Sequence, residues 1–587
     1  MNLANLLASL GHRRAKWVVL LLIVLVSLPA LFAGWQHDDY IHQTLLHGLP
    51  SAQRRSPDEL YCFAGGPQHR PGSVTPPWWQ TPSHSACFFR PLSSLSLAID
   101  HTHLTRAPVL AHVHSLLWFL ILCGAVFALA RRLLPPAQAT LGLLIYGVSG
   151  FSVSTIAWLA ARHAVVSSAI AAWGLVAYVG GRQDQRWPRV VVGLLLLTLA
   201  LLAGEGALTA FGFVAAYECL LADDARPRRA LALASAAALA LLYVRWYAHA
   251  GYGMAGVGIY LDPIRYPREF LVALPGRLLA LLADAVAGIP SALWHFAAYQ
   301  TLLALWGVLS LGLLSALLLL SAQARDAQQR RLLRFLGLGA LAAAIPTTAA
   351  VLGGRLLMLP GIGLCFLCAI LLHPASPSAP AGQARWPRLL RGLHWVLAIL
   401  VLGANPLMRV TQSIGLRQLA DSELRISESF LAPCDTADHY YLLGSEDFTV
   451  AMFAPYLLQE PLRRKEWRQI TLASSDIAIE ALSDRSLRLR AEPPGLLLGG
   501  FVYELMRPAR TPLLPGQRVP IGLGEIHVEQ ASPQGVSVLR LDLSVPYHDG
   551  AICWLRFDGK TVTPLAITAQ PGGDKQIVPR IQGALPF

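Results

Sequence analysis

Two adjacent carboxylates, Asp38 and Asp39, follow closely on the first apolar segment of the chain. That segment, residues 17–34 (WVVLLLIVLVSLPALFAG), carries no charge, and as a helix it spans about 27 Å, enough to cross most of a bilayer. Two acids at a membrane rim are costly to place unless water, a cation or a partner meets them. They are therefore candidates to accept a proton or to hold a cation. The alternative is a pair of solvated loop residues.

Three arginines, Arg90, Arg162 and Arg355, stand near the ends of other apolar segments. A guanidinium group offers a rigid fork of donors that matches a phosphate, so three of them at one membrane face predict an anionic ligand. The alternatives are structural. Arg90 could cap a helix or pair with Asp100, and the other two arginines could reach lipid headgroups.

The composition indicates that these residues belong to a polytopic α-helical membrane protein. The chain is 54% hydrophobic and 14% charged, with a mean hydropathy of +0.48, whereas an ordinary soluble domain is about 25% charged. We predict about eleven transmembrane helices. They are 17–34, 109–130, 137–153, 164–180, 190–204, 207–222, 230–249, 299–320, 333–351, 356–373 and 393–409. Residues 268–289 are too charged for this set, and their pattern predicts a helix on the membrane surface or re-entering it.

Basic residues occur in alternate loops, and by the positive-inside rule those loops are cytoplasmic. The amino terminus is then inside, whereas the first outer loop, 35–108, and the carboxy-terminal region are outside a bacterial-type cytoplasmic (inner) membrane. The net charge of +13 mostly reflects this topology, and no basic stripe on a soluble face predicts nucleic-acid binding. The six basic segments contain Arg13/Arg14/Lys16, Arg131/Arg132, Arg182/Arg186/Arg189, Arg226/Arg228/Arg229, Arg325/Arg330/Arg331/Arg334 and Arg385/Arg388/Arg391.

The chain divides into a transmembrane domain, 1–409, and an extracytoplasmic soluble domain, 410–587. Residues 374–391 resemble a cytoplasmic linker because they are rich in Pro, Ala and Ser. In the outer domain, alternating residues predict a mixed α/β fold passing into antiparallel β, with strands at 486–492, 524–529, 536–545 and 553–557. The turn 546–550 (PYHDG) predicts a β-hairpin between the last two.

The eight cysteines fall into two groups. Cys62 and Cys87 share the first outer loop, and Cys434 and Cys553 share the outer domain, so an oxidising compartment would favour two disulfides. The other four lie within predicted spans, where cysteine usually acts as a small hydrophobic residue. They are Cys123, Cys219, Cys365 and Cys368.

Four stretches, in order along the chain, resemble the GT-C membrane glycosyltransferases similar to the TPR-bearing protein O-mannosyltransferases. Residues 89–100 (FRPLSSLSLAID) resemble that family's Arg-Pro-Leu motif and the Asn or Asp at the end of the helix that follows it. Pro108 and His112 resemble the family's Pro-x-x-x-His motif at the start of the second span. The other three are 156–162 (IAWLAAR), 204–205 (GE) and 354–363 (GRLLMLPGIG), although the last two lack some of the family's charged and aromatic residues. The resemblance covers about residues 17–375 and does not extend to the outer domain.

The resemblance implies an inverting transferase that moves a sugar from a polyprenyl-phosphate donor to an acceptor on the outer face. It assigns the base to Asp38 or Asp39, with Asp39 slightly behind Asp38. It assigns donor-phosphate or substrate binding to Arg90, Asp100, His112, Arg162, Glu205 and Arg355. The acceptor stays open among a protein, a lipid and a glycan.

A divalent metal is an open cofactor prediction, with Asp38, Asp39 and His112 as the candidate ligands. The alternative function is a non-catalytic component of surface-glycan biogenesis that binds polyprenyl phosphate as a carrier or assembly factor. A secondary transporter is disfavoured, because no internal repeat and no matching pair of broken spans is evident.

Overall fold

The computed structural model describes residues 10–48, 54–67, 76–322, 325–373, 387–430, 434, 437–445, 447–457 and 465–580. Most of the predicted linker, 374–386, lies outside the described residues. The helices are α1 Ala15–Ser27, α2 Asp38–His47, α3 Pro91–His103, α4 Pro108–Leu133, α5 Pro136–Val148, α6 Ser154–Ala157, α7 Arg162–Gln183, α8 Trp187–Leu201, α9 Ala210–Leu220, α10 Arg226–His249, α11 Pro267–Ala287, α12 Ala297–Leu320, α13 Ala327–Thr347, α14 Pro360–Leu372, α15 Pro387–Ile399, α16 Asn405–Ser429, α17 Phe448–Leu457 and α18 Gly500–Met506.

The fold is a polytopic helical bundle followed by a β-rich domain, as the composition predicts. Seven helical segments in the described part of the chain are long and apolar enough to cross a membrane, or eight if the pair α5 and 150–157, bent by 55°, counts as one span. The predicted count of eleven is not confirmed. Helices α8 and α14 are shorter than a span, and α9 is preceded by a separate 3₁₀ turn, Glu205–Thr209.

Helix α11 differs from its prediction as a surface or re-entrant segment, because its 21 residues are apolar enough to cross a membrane. Hydrogen bonds inside the protein stabilise the charge of Arg277. Its guanidinium donates to the backbone carbonyls of Thr348 at 2.6 Å and Ile259 at 3.0 Å. Asp284 in turn accepts hydrogen bonds from the backbone N–H and hydroxyl of Ser291, at 2.9 and 2.7 Å. Partners on other segments therefore make the charges of this helix tolerable.

Helices α15 and α16 form one continuous helical segment, 388–429, with a short π-helical stretch, Leu400–Ala404. The predicted boundary at 409/410 falls inside this segment. Its first part is apolar, whereas its second part carries charges and contacts the outer domain. The β-structure of the outer domain begins only at His439.

The outer domain contains a six-stranded and a four-stranded sheet, and a third, small sheet joins the outer loops. The strand orders are β13-β6-β7-β10-β9-β8, β12-β11-β4-β5 and β1-β2-β3. The strands are β1 Cys62–Ala64, β2 Ser85–Cys87, β3 Gly253–Ala255, β4 His439–Leu443, β5 Glu466–Gln469, β6 Ile477–Ser483, β7 Ser486–Ala491, β8 Arg518–Ile521, β9 Gly524–Ser532, β10 Gly535–Leu543, β11 Ile552–Phe557, β12 Val562–Pro564 and β13 Gln576–Val578.

The four predicted strands of the outer domain are confirmed as β7, β9, β10 and β11, but the predicted hairpin is wrong. Strand β10 pairs with β7 and β9 in the larger sheet, whereas β11 lies parallel to β4 in the smaller one. The turn at 546–550 therefore carries the chain from one sheet to the other. Alternation along a strand predicts that strand but does not name its partner.

Both predicted disulfides are present. Cys62–Cys87 joins β1 to β2 in the first outer loop, and Cys434–Cys553 ties the segment before β4 to β11. Further contacts hold the loop against the outer domain. Trp78 donates its indole N–H to the carbonyl of Ile470 at 3.0 Å, and the N–H of Thr81 donates to the carbonyl of Met506 at 3.2 Å. The outer domain therefore covers the face where α2 begins.

Candidate functional site

Asp38 begins helix α2 after a sharp reversal of the chain. The backbone at Gly34 and His37 lies in the left-handed region, with φ of +73° and +46°. Because His37 is not a glycine, this conformation needs support from its surroundings. Glu423 of α16 supplies it, since its carboxylate accepts the backbone N–H of His37 at 3.0 Å and pairs with the His37 ring. The outer end of α16 thus fixes the position of Asp38.

The two adjacent carboxylates have different surroundings. Asp39 is fully buried, and its oxygens accept the backbone N–H groups of Gln36 at 3.0 Å and Ala160 at 2.8 Å. Asp38 is half-buried and lines a cavity. Consecutive residues of a helix point about 100° apart, so one acid faces the packed interior while the other faces open space. Asp38 is therefore the carboxylate that is available to a ligand. Asp39 instead holds the backbone at Gln36 and Ala160 in place.

Burial affects both acids. It raises the pKa of Asp38 above its ordinary value, and the positive charges of His37 and Arg355 oppose that shift. It raises the pKa of Asp39 to about 8, against the opposing effect of the two backbone N–H groups. A raised pKa makes the Asp38 carboxylate a stronger base than an exposed aspartate.

Arg90 and Glu205 form an ion pair on the wall of the same cavity. The Arg90 Nε donates to Glu205 Oε2 at 2.9 Å, and its Nη2 contacts the second carboxylate oxygen. The guanidinium also lies over the rings of Tyr61 and Phe88, at 4.9 and 4.2 Å from their centroids. Burial alone would raise the pKa of Glu205, but the Arg90 charge and hydrogen bonds outweigh it and lower that pKa. Glu205 therefore holds Arg90 in place as a carboxylate.

Arg355 is the second cation of the cavity. It lies on the 3₁₀ turn Gly354–Leu357, with its guanidinium 5.8 Å from the ring centroid of Trp158. Its Nη2 donates to the carbonyl of Val351 at 3.3 Å. Among the residues that the structure describes, no carboxylate lies within ion-pair distance of it. Its charge is therefore available to an anionic ligand.

These groups define what we call the polar cavity, between α2, the Arg90 segment, α7 and the turn at Arg355. Aromatic rings and hydroxyls complete its walls, which suits a ligand carrying both an anionic group and a sugar. Besides Asp38, Arg90, Glu205 and Arg355, its lining includes Tyr61, Phe63, Phe88, Trp158 and Tyr260, together with Ser167, Ser168, Thr209 and Thr347.

Three predicted binding residues lie in the protein interior instead. Arg162 is fully buried and forms an ion pair with Asp100, which is also buried. Both ring nitrogens of His112 meet backbone carbonyls, those of Ile156 at 2.7 Å and Gly34 at 2.9 Å. Their polar atoms bind other parts of the chain, and none of the three lines the polar cavity, so their assignment to substrate stays a prediction.

The predicted pairing of Arg90 with Asp100 is wrong, because Asp100 pairs with Arg162 and Arg90 pairs with Glu205. Arg90 does occupy the N-cap position of α3, but its side chain makes no capping hydrogen bond there.

The structure does not bring Asp38, Asp39 and His112 together as metal ligands. Within the described ranges, the one group of at least three metal-ligating residues is Glu525, His527 and Asp542, in the outer domain. Arg540 already lies against that group, donating to Asp542 at 3.1 Å and contacting His527 Nδ1 at 3.1 Å. Asp542 is therefore already paired with a cationic side chain.

Sequence reasoning missed Glu423 and Tyr260. Glu423 is separated from His37 by 386 residues, and Tyr260 lines the cavity from the loop before α11. No local pattern marks either residue.

The fold and the cavity together define a multi-pass membrane protein that has a β-rich domain and a polar site formed by its helices and first loop. No known protein family matches the chain, and no curated protein sequence matches it. The chain is similar to the solved structure of ArnT from Cupriavidus metallidurans bound to undecaprenyl phosphate. The two are 13% identical, and the match covers 77% of this chain and 86% of that one, with a TM-score of 0.40. At this level of similarity the likeness carries no argument about family or site.

Proposed function

We propose that this protein is a glycosyltransferase that moves a sugar from a polyprenyl-phosphate donor to an acceptor hydroxyl on the outer face of the cytoplasmic membrane. One observation carries the proposal: an available carboxylate, Asp38, shares a cavity with two cations, Arg90 and Arg355. A base beside a phosphate-binding pair is what sugar transfer from a lipid phosphate requires. The motif resemblance points to the same chemistry.

In the proposed step, the acceptor hydroxyl oxygen attacks the anomeric carbon of the donor sugar. The bond from that carbon to the phosphate oxygen breaks, and its electron pair leaves with the phosphate. Asp38 takes the proton of the attacking hydroxyl. Attack on the face opposite to the leaving group inverts the anomeric configuration. The reaction therefore requires a base beside the attacking hydroxyl and cations beside the leaving phosphate.

Arg355 and Arg90 stabilise the phosphate in different ways. Arg355, which has no carboxylate partner among the described residues, would contact the phosphate directly. Arg90 is already paired with Glu205, so it contributes a fixed, partly neutralised charge and holds that wall in shape. The leaving phosphate gains negative charge as the bond breaks, so Arg355 stabilises the transition state more than the bound donor.

The test is sugar transfer from a panel of radiolabelled polyprenyl-phosphate sugars, with the protein in membranes, together with donor binding. We expect wild type to transfer one sugar, and Arg355→Ala to weaken donor binding by about tenfold or more, because a charge-assisted contact is lost. Arg425→Ala is the control, since Arg425 is an exposed arginine on α16 that does not line the cavity.

The alternative of a non-catalytic lipid-binding component predicts a different result. Wild type would bind the donor lipid, yet no sugar would move to any acceptor, and Arg355→Ala would reduce binding alone. That outcome would overturn the proposed transfer.

A further inference from the structure

His37, the residue that precedes Asp38, has a backbone conformation that residues with a side chain rarely adopt. Its φ is +46° and its ψ is −115°. A strained backbone of this kind persists where the surrounding structure imposes it, and such residues are frequent at active sites. Because α2 begins immediately after His37, relaxation of this backbone would turn the Asp38 carboxylate away from its present place in the polar cavity.

Glu423 of α16 contacts His37 at two points. One carboxylate oxygen accepts the backbone N–H of His37 at 3.0 Å, and the other pairs with Nδ1 of its ring. The two contacts lie on either side of the N–Cα bond of His37, so rotation about φ would break one of them. Both side chains are buried, with 0% exposure for Glu423 and 8% for His37. Glu423 therefore imposes the conformation of the residue that places Asp38.

Helix α17 of the outer domain encloses this pair. The ring of Phe453 stacks on the His37 ring, with centroids 4.8 Å apart and planes 17° apart. The ring of Phe448 meets the His37 ring edge-on at 5.2 Å, and the Thr449 hydroxyl lies 3.5 Å from Glu423 Oε1. These contacts leave the His37 ring little room to turn, so the outer domain helps to fix it.

The contact between Glu423 and the His37 ring is an ion pair. Burial alone would lower the pKa of the imidazole, but the charge of Glu423 and its hydrogen bond outweigh burial and raise that pKa above its ordinary value. The charges of Asp38 and Asp39 act in the same direction. A hydrogen bond between two charged groups is shorter and stronger than one between neutral groups, so the ring is held firmly.

We propose that Glu423 is a positioning residue for sugar transfer, which acts through His37 to hold the Asp38 carboxylate toward the attacking hydroxyl. This rests on the proposed function, because it concerns the base of that same site. Glu423 does not line the polar cavity, so it acts on the reaction through Asp38 and not by contact with the donor there. Helix α17 keeps the pair enclosed, which gives the outer domain a part in the reaction.

Single-turnover transfer with bound donor tests the proposal in Glu423→Gln, which changes the charge but keeps the size of the side chain. We expect the transfer rate to fall by about 10–100-fold, because a displaced base loses its alignment with the hydroxyl. Donor affinity should change by less than about threefold. Glu428→Gln is the matched control, because Glu428 is an exposed glutamate on the same helix. An unchanged rate in Glu423→Gln, or an equal loss of rate and donor affinity, would overturn the proposal.

The double variant with Asp38→Asn separates positioning from a general structural defect. A residue that acts through Asp38 has little left to act on once that carboxylate is gone. Adding Glu423→Gln to Asp38→Asn should therefore lower the residual rate by less than about threefold, so that the two effects are not additive. The same fold-loss in both backgrounds would show that Glu423 acts independently of Asp38, and would refute its role.

A second variant tests the part of the outer domain without changing a charge. Phe453→Leu removes the ring that stacks on His37 and keeps an apolar side chain, and we expect the transfer rate to fall about fivefold. Phe557→Leu is the control. Both phenylalanines belong to one buried apolar cluster, and Phe453 is the one whose ring stacks on His37. Equal rates in the two folded variants would refute the role of α17.

A measurement without donor keeps the two proposals distinguishable. The carboxyl signal of Asp38 is recorded by NMR with isotope-labelled aspartate, on the full-length protein in nanodiscs, and assigned by its loss in Asp38→Asn. We expect Glu423→Gln to shift this signal and Glu428→Gln to leave it unchanged; an unshifted signal in Glu423→Gln would refute the positioning. A shifted signal in a protein that transfers no sugar would refute the transferase and keep the positioning of Asp38 by Glu423.

Discussion

The buried pair Arg162–Asp100 gives a quantitative test of which arginines hold the fold and which meet the ligand. Both side chains are almost fully buried, at 0% and 1% exposure. The Arg162 guanidinium also donates to Ser115 Oγ at 2.8 Å and to the carbonyl of Ala111 at 2.7 Å. The pair therefore ties the starts of α4 and α7 to the end of α3.

Asp100→Asn keeps the size of the side chain but leaves the Arg162 charge buried and uncompensated. Breaking a buried ion pair in this way costs about 3–5 kcal/mol of folding free energy. The hydrogen bonds to Ser115 and Ala111 persist in the variant, which places the expected loss near about 3 kcal/mol. Adding Arg162→Met removes the stranded charge, so the double variant should regain part of that loss.

The assay is thermal and denaturant unfolding in nanodiscs, with donor binding measured on the folded fraction. Asp184→Asn is the control, because Asp184 pairs with Arg132 at the surface and should change little. We expect Asp100→Asn to lose stability while the folded molecules keep their donor affinity. A variant of normal stability that no longer binds donor would refute the structural role of Arg162 and Asp100.

Four further predictions concern Asp39, Glu205, Asp38 and the second disulfide. Asp39→Asn should lower the unfolding temperature, because an amide cannot accept both backbone N–H groups, and transfer per folded molecule should persist. Glu205→Gln should weaken donor binding several-fold in a donor titration, because the amide no longer holds the Arg90 guanidinium in position with two charge-assisted contacts. Glu428→Gln, at an exposed position outside the polar cavity, should leave the donor affinity unchanged. Wild-type transfer should fall on acidification at a higher pH than an ordinary carboxylate allows, because Asp38 must be ionised and its pKa is raised; a pH-rate profile checks this. Cys434→Ser with Cys553→Ser should lower outer-domain stability by up to about 4 kcal/mol, whereas Cys219→Ser, at an exposed free thiol, should not, as differential scanning fluorimetry will show.

Local patterns predicted much of the fold. The uncharged segment 17–34 and the alternating residues of β10 each specify their own structure, because hydropathy and period depend on nearby residues alone. The cysteine pairs followed from the predicted placement of each pair in one outer region of the chain. What local patterns did not predict is pairing across the chain. The partner of β11 is β4, and that choice is made by tertiary packing.

The site divides in the same way. Asp38, Arg90 and Arg355 were predicted from residue type and position, and Glu205 from the family resemblance; the structure places all four in one cavity. The resemblance favoured Asp38 only slightly over its neighbour Asp39, and the contact with the N–H of Ala160 shows that the Asp39 carboxylate is occupied. The sequence also does not show that Arg162 is neutralised, because its partner Asp100 lies on another helix.

The most direct test of the central claim is single-turnover sugar transfer with the donor already bound, comparing wild type with Asp38→Asn at equal donor occupancy. Our account predicts that the transfer rate falls by about 10²–10⁴-fold while donor affinity changes by less than about threefold, because Asp38 accepts a proton and does not anchor the phosphate. Transfer at the wild-type rate by Asp38→Asn, or an equal loss of donor affinity and rate, would contradict it.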